Sequence, residues 1–233
     1  MRVFIGTSGY SYKEWKGSFY PDKIAAGDML GYYGTRFRSV EINNTFYRMP
    51  RETTLVQWSE QVPDEFQFVL KASRRITHQK LLAGADEELS YFLQTSSVLG
   101  DKLGPTLFQL PPHFKKDVTR LRDFLEMLPQ RWRAAMEFRN QTWFVDETYE
   151  LLRSKGLGLV FSETDDGKVE PELVATTGFG YLRLRKENYS SEELAAWAER
   201  IKAQPWSDVY IFFKHEDKGS GPQLAEDFSK LLQ

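Results

Sequence analysis

Short apolar runs alternate along this chain with longer stretches whose apolar residues recur at helical spacing. The runs are Val3–Ile5, Ser39–Asn43, Phe66–Lys71, Leu107–Leu110, Ala134–Phe138, Leu157–Ser162, Tyr181–Leu184 and Val209–Lys214. Each is rich in β-branched or aromatic residues and bounded by turn residues or charge, which predicts a strand. Between them, Leu89, Phe92, Leu93, Ser96 and Leu99 share one helix face, and Val118, Leu121, Phe124, Leu125 and Leu128 share another. Asp117 and Asp146 are predicted N-caps, Gly156 a helix stop, and Ser190 with Glu193 a capping box. Pro222 suits the first turn of a last helix carrying Leu224, Phe228 and Leu231.

Strands alternating with helices predict an α/β protein with a parallel sheet. Eight such units favour closure into a single (β/α)8 TIM-like barrel over residues 1–233, because a closed sheet leaves no edge to protect. An open doubly wound sheet is the alternative, but Gly6-x-x-Gly9 lacks the full dinucleotide fingerprint. The sixth helix is expected to be short or irregular, since Glu163–Gly178 holds Pro171 and a run of small residues.

Strand side chains alternate between faces. If the apolar members pack on the helices, the others turn into the lumen. That rule sends Glu41, Asn43, Lys71, Gln109, Glu137, Arg139, Arg183, Arg185 and Lys214 inward. All fall at or near the carboxyl ends of their strands, where barrel enzymes keep their chemistry. Five cations then face two carboxylates, so Glu41 and Glu137 are expected to be ionised and paired. An anionic ligand would relieve the positive surplus. Read as structure alone, the same set is an ion-pair lattice that fixes geometry.

Composition narrows the chemistry. With 233 residues and no Cys, the chain has neither disulfides nor thiolate chemistry. The formal charge of −2 makes any anion site local rather than global. No secretion signal or membrane span is predicted, so a cytoplasmic location is expected. At 15%, aromatic residues exceed what a minimal core requires. Tyr10, Tyr12, Trp15, Phe19, Tyr20, Phe46 and Tyr47 crowd the first two loops, and with Trp143 are expected to form a stacking wall beside the cations. Gly219, Ser220 and Gly221 precede the last helix, where free backbone N–H groups favour an anion.

His78, His113 and His215 all follow strands, on the same rim as Glu137, Glu163, Asp165 and Glu216. A hydrolytic metal site is one reading of that set. The neighbouring cations would repel a metal ion, so no metal and no cofactor is expected. His78 is then the acid–base candidate. Glu41 and Glu137 also raise glycoside hydrolysis, but that needs one carboxyl of raised pKa, against the cationic surroundings.

Four blocks carry a family resemblance: Ile5-Gly6-Thr7-Ser8-Gly9-Tyr10 with Trp15 and Phe19-Tyr20-Pro21; Val40-Glu41-Ile42-Asn43-Asn44-Thr45-Phe46-Tyr47; Phe108-Gln109-Leu110-Pro111-Pro112; and Glu137-Phe138-Arg139-Asn140 with Trp143. Together they resemble the domain-of-unknown-function 72 family, the YecE-like proteins, over almost the whole chain. The resemblance implies a TIM-like barrel, and matches at Glu41, Asn43, Tyr47, Lys71, His78, Gln109, Glu137, Arg139 and Trp143. It brings no established activity. A likeness of such barrels to endonuclease IV would imply nucleic-acid binding or phosphodiester chemistry. Arg185-Lys186 and Lys214-His215 depart from the family pattern and add positive charge.

The resulting expectation is a barrel whose mouth binds a phosphate-bearing small molecule or nucleic acid. As an enzyme it would hydrolyse phosphoesters, with Arg139, Arg183, Arg185 and Lys214 on the anion, Glu137 orienting an arginine or activating water, and His78 as acid–base. A non-catalytic binding module and a carbohydrate-active enzyme using Glu41 and Glu137 are the alternatives.

Overall fold

The computed structural model describes residues 1–163, 172–214 and 219–232. Eight parallel strands follow in chain order: β1 Arg2–Thr7, β2 Ser39–Ile42, β3 Gln67–Leu70, β4 Thr106–Gln109, β5 Ala134–Glu137, β6 Gly158–Ser162, β7 Phe179–Leu184 and β8 Asp208–Phe213. Six of them pair in the order β1-β8-β7-β6-β5-β4, and β2 pairs with β3. Parallel bridges join the two sheets at both seams, Ser8 with Glu41 and Lys71 with Leu107. Each strand therefore neighbours the next in sequence, and β8 neighbours β1, as a TIM-like barrel requires.

Gly6 explains one seam. A Cβ there would lie 1.9 Å from the Ser39 carbonyl oxygen and 2.6 Å from the Tyr33 hydroxyl. The bare backbone lets Tyr33 accept from the Thr7 amide at 2.8 Å and donate to Ser39 at 3.1 Å, which ties β1 to β2.

The helices are α1 Met29–Gly34, α2 Asn44–Tyr47, α3 Glu52–Glu60, α4 Asp86–Ser97, α5 Val118–Glu126, α6 Asp146–Lys155, α7 Ser191–Lys202 and α8 Ser220–Leu231. Asp117 caps α5 by accepting from the Arg120 amide at 3.0 Å. Both halves of the Ser190–Glu193 capping box are made, and Gly156 ends α6 in the left-handed region with φ 65°. Asp146 corrects one expectation. The cap position belongs to Val145, and Asp146 is the first helical residue, where its charge complements the helix dipole without a capping hydrogen bond. Helices α1, α2 and α3 are absent from the sequence pattern: α1 and α2 are six and four residues long, and α3 buries only Leu55. Described residues 172–178, between β6 and β7, hold no helix, while residues 164–171 lie outside the described set.

Two apolar clusters follow the predicted alternation. Phe68, Leu70, Phe108, Leu110, Met136, Leu182, Leu184, Val209, Ile211 and Phe213 pack outward against the helices. Phe4, Val69, Leu107, Ala135, Val160, Phe179, Tyr181, Tyr210 and Phe212 fill the lumen. Phe4 stacks on Tyr210 at 4.8 Å, and Phe179 meets the same ring edge-on at 6.1 Å. At the amino end, Asp208 accepts from Arg2 at 2.7 Å and Arg133 at 2.9 Å. Rings and ion pairs thus plug that end. Polar side chains of the next lumen layer have room only at the carboxyl end of the strands.

Candidate site at the barrel mouth

Period-two alternation brings Glu41, Gln109, Glu137 and Arg183 into one layer above the apolar plug. Glu41 and Glu137 are fully buried, and Arg183 is 3% exposed. Its guanidinium forks between them: one terminal nitrogen donates to Glu137 Oε2 at 2.7 Å, the other to Glu41 Oε1 at 2.8 Å. Ser8 and Asn43 also donate to Glu41 Oε1, at 2.8 and 3.0 Å, and the Tyr181 hydroxyl donates to Oε2 at 2.7 Å. Glu137 Oε1 accepts from Gln109 at 2.7 Å and from Arg139 Nε at 2.9 Å. Lys71 Nζ donates to Gln109 Oε1 at 2.8 Å and lies 4.1 Å from the centre of the Phe46 ring. The chain Lys71–Gln109–Glu137–Arg183–Glu41 crosses the lumen without a break.

Both carboxylates are ionised. Burial alone would raise Glu41, but the Arg183 charge and the Tyr181 and Ser8 hydrogen bonds hold it below the usual range. Burial also opposes the Glu137 charge, and Arg183, Arg139 and Lys71 together depress its pKa further. Arg183 is destabilised by burial and more than compensated by the two carboxylates, so its pKa rises. Burial and the Glu41 charge raise the Tyr181 phenol, which keeps it a donor. Burial, with Arg183 beside it, lowers Lys71 to about 8. His78 is lowered to about 4 by burial and by the charges of Lys71 and Arg139, and is therefore a neutral imidazole at pH 7. Its Nδ1 lies 2.9 Å from the Thr77 hydroxyl, and its ring meets Phe46 edge-on at 4.8 Å.

Sequence parity located Glu41, Asn43, Lys71, Gln109, Glu137, Arg139 and Arg183, and the structure brings them together. Arg185 and Lys214 follow the ends of β7 and β8 and are half-buried. Glu163 accepts from the Arg185 amide at 2.7 Å and so fixes that turn. Trp143 corrects an expectation. It is fully buried, stacks on Phe138 at 4.6 Å and donates to the Phe114 carbonyl at 2.8 Å, so it offers no face to a ligand. Trp15 and Tyr20 are likewise buried in the core. Tyr47 is 69% exposed, beside a groove of about 370 Å3 also lined by Ser73, Arg75 and Tyr91. Gly219 and Ser220 line a separate groove with Ser18, Phe19, Tyr32 and Arg36, where Arg36 pairs with Glu226 at 2.6 Å.

Among the described residues no three His, Asp or Glu side chains are grouped to hold a metal ion. Asp165, His215 and Glu216 lie outside those residues, and His113 is exposed. Ser8 and Tyr181 escaped the sequence reading. Tyr181 precedes Arg183 by two residues on one strand, so the same parity points it inward. Ser8 lies beyond a run too short to establish parity.

Known proteins place this barrel. The family described as "Protein of unknown function DUF72" matches residues 4–233. The chain is 28% identical to UPF0759 protein YunF of Bacillus subtilis, over 99% of this chain and 83% of YunF. It is 29% identical to UPF0759 protein YecE of Escherichia coli, over 66% of this chain and 55% of YecE. Its fold is similar to a DUF72 family protein of Thermotoga maritima, with a TM-score of 0.86, 30% identity and coverage of 100% and 99%. A DUF72 family protein of Enterococcus faecalis shares the fold at a TM-score of 0.81 and 21% identity, covering 99% and 97%. No helix among the described residues is long and apolar enough to cross a membrane. With the family match running from the first strand to the last helix, the chain belongs to the DUF72 family.

Proposed function

We propose that the barrel mouth binds a phosphate-bearing ligand. The observation that carries this reading is the charge left over in the layer above the plug. Glu41 accepts four hydrogen bonds and Glu137 three. Against their two charges stand Arg183, Arg139 and, while protonated, Lys71. The Lys71 ammonium is met by a neutral amide rather than a carboxylate. An anion beside Lys71 and the partly exposed Arg139 would neutralise that surplus in a site of low dielectric, where such contacts count most. Tyr47, exposed next to Arg74, supplies a ring for a nucleotide base.

Glycoside hydrolysis fits less well, because it needs a protonated carboxyl and both glutamates are held below their usual range. In a phosphoester hydrolase built on this site, Glu137 orients Arg139 and Arg183. The base candidate is then His78, unprotonated at pH 7 but made a weak base by the burial and cations that lower its pKa to about 4. The full engagement of both carboxylates favours binding without turnover as the second reading.

Titration calorimetry with inorganic phosphate and with a purine mononucleotide tests the binding. Saturable heats are expected in the wild type, weakened at least tenfold in Arg139→Met and Lys71→Met. Absence of heat at millimolar ligand, or unchanged affinity in both folded variants, refutes the reading. Cleavage of a chromogenic phosphodiester, lost in His78→Gln, separates hydrolase from binder.

A further inference from the structure

We propose that Lys71 is a nucleophilic amine that forms an imine with a small phosphorylated aldehyde or ketone. The phosphate half of that ligand rests on the anion reading above; the amine half stands on separate geometry. Arg183 has two carboxylates and Arg139 has one. Lys71 has the Gln109 amide oxygen and the face of Phe46. A carboxylate partner would lock an ammonium in its charged form. An amide oxygen accepts from –NH3⁺ and from –NH2, so Lys71 loses a proton without losing its anchor. Gln109 is itself fixed, because its Nε2 donates to Glu137 at 2.7 Å. The Lys71 backbone is fixed as well: its amide donates to Ile42 at 3.1 Å, and its carbonyl accepts from Thr45 at 2.6 Å.

The surroundings of Lys71 pull in opposite directions, and burial, the largest influence, tips the balance towards the free amine. Arg183 and Arg139 repel its proton and Glu137 and Glu41 attract it, with burial adding to the repulsion. The balance leaves roughly a tenth of Lys71 as free amine at pH 7, two orders of magnitude or more above an ordinary lysine. The adjoining segment has the character of a built site. A π-helical turn spans Arg75–Gln79 and carries His78, and Leu81 and Leu82 follow with φ of 49° and 72°. Such turns and left-handed non-glycine residues recur at functional sites.

The chemistry balances without an added oxidant or reductant. The Lys71 lone pair attacks the carbonyl carbon, forming a C–N bond as the C=O π bond breaks to give a carbinolamine. That intermediate expels its hydroxyl with the nitrogen's proton as water, leaving C=N. Arg139, partly exposed and close enough to act on the Lys71 charge, would hold the phosphate.

The test uses the full chain at pH 7 with equimolar glycolaldehyde phosphate and sodium cyanoborohydride, which fixes an imine as a secondary amine. Peptide mass spectrometry then maps the labelled lysines. Lys71 is expected to be modified at least tenfold faster than any exposed lysine, and inorganic phosphate is expected to slow it. Labelling spread over exposed lysines, with Lys71 among the slowest in folded wild-type protein, overturns the proposal. Unphosphorylated glycolaldehyde separates the two halves. Equal rates at Lys71 with both probes support the amine and refute the phosphate site. Calorimetric phosphate binding without Lys71 labelling does the reverse. Because the map is read on the wild type, the outcome does not depend on a variant that folds.

Discussion

Removing the shared cation is the sharpest perturbation of the mouth. Arg183→Met keeps an unbranched chain of similar length but deletes the fork between Glu41 and Glu137. Glu41 retains Ser8, Asn43 and Tyr181, and Glu137 retains Gln109 and Arg139. The carboxylates therefore keep hydrogen bonds but lose their strongest compensating charge while fully buried. Breaking a buried pair in this way costs about 3–5 kcal/mol. In a protein of this size that corresponds to a fall in melting temperature of roughly 6–20 °C. The pH dependence fixes the cause. In the wild type both glutamates are depressed below an ordinary value of 4.5. Their contribution is present above that pH and lost as pH falls below it. Without Arg183, burial raises them instead. The deficit of the variant is then largest at neutral pH and shrinks as acid supplies the missing proton. Urea unfolding followed by tryptophan fluorescence at pH 8, 6.5 and 5 reads both quantities, with Trp15 and Trp143 as buried reporters. Adding Glu137→Gln to Arg183→Met should recover about 1–3 kcal/mol relative to additivity. A loss below about 1 kcal/mol that does not change with pH would refute the claim that Arg183 holds two charges in the lumen.

Other outcomes follow from single contacts. Lys71 has a pKa of about 8 in the folded chain against an ordinary 10.5, so wild-type stability should rise with pH across that interval. Lys71→Met should flatten the slope between pH 8 and 10 in the same unfolding experiment; an unchanged slope assigns it to other groups. Gly6→Ala drives a methyl into the Ser39 carbonyl and should cost at least about 1–3 kcal/mol or prevent folding, measured by circular dichroism on heating. Trp143→Phe leaves the Phe114 carbonyl without its donor at 2.8 Å. It should lose about 1–3 kcal/mol in urea while phosphate affinity stays unchanged. Tyr47→Ala, at an exposed position, should alter stability by less than about 0.5 kcal/mol yet weaken mononucleotide binding more than phosphate binding in calorimetry.

Strand number, strand order and the inward placement of Glu41, Lys71, Gln109, Glu137 and Arg183 were legible from the pattern alone. Alternation in a strand has a fixed period of two, so once Phe108 and Leu110 face helices, Gln109 has one remaining direction. Closure followed from counting units, since consecutive parallel strands neighbour one another round a barrel. Local chemistry was equally readable at Asp117, Gly156 and the Ser190–Glu193 box, where the interaction lies within a few residues of sequence. The aromatic wall was not. Trp143 and Trp15 have the composition of a stacking surface, but whether a ring faces ligand or core depends on what closes over it. The Phe114 carbonyl, 29 residues away in sequence, helps decide that for Trp143, together with Phe138.

Partnership among the charges belonged to tertiary structure as well. Sequence alone determined that two glutamates and several cations reach one end of the barrel, because parity and strand ends are local properties. Only the closed ring decided that Arg183 takes both carboxylates and that Lys71 meets an amide. Those pairings span sequence separations of up to 142 residues. They are set by which side chains the barrel's circumference brings within 3 Å, and no periodicity along a single strand encodes that distance.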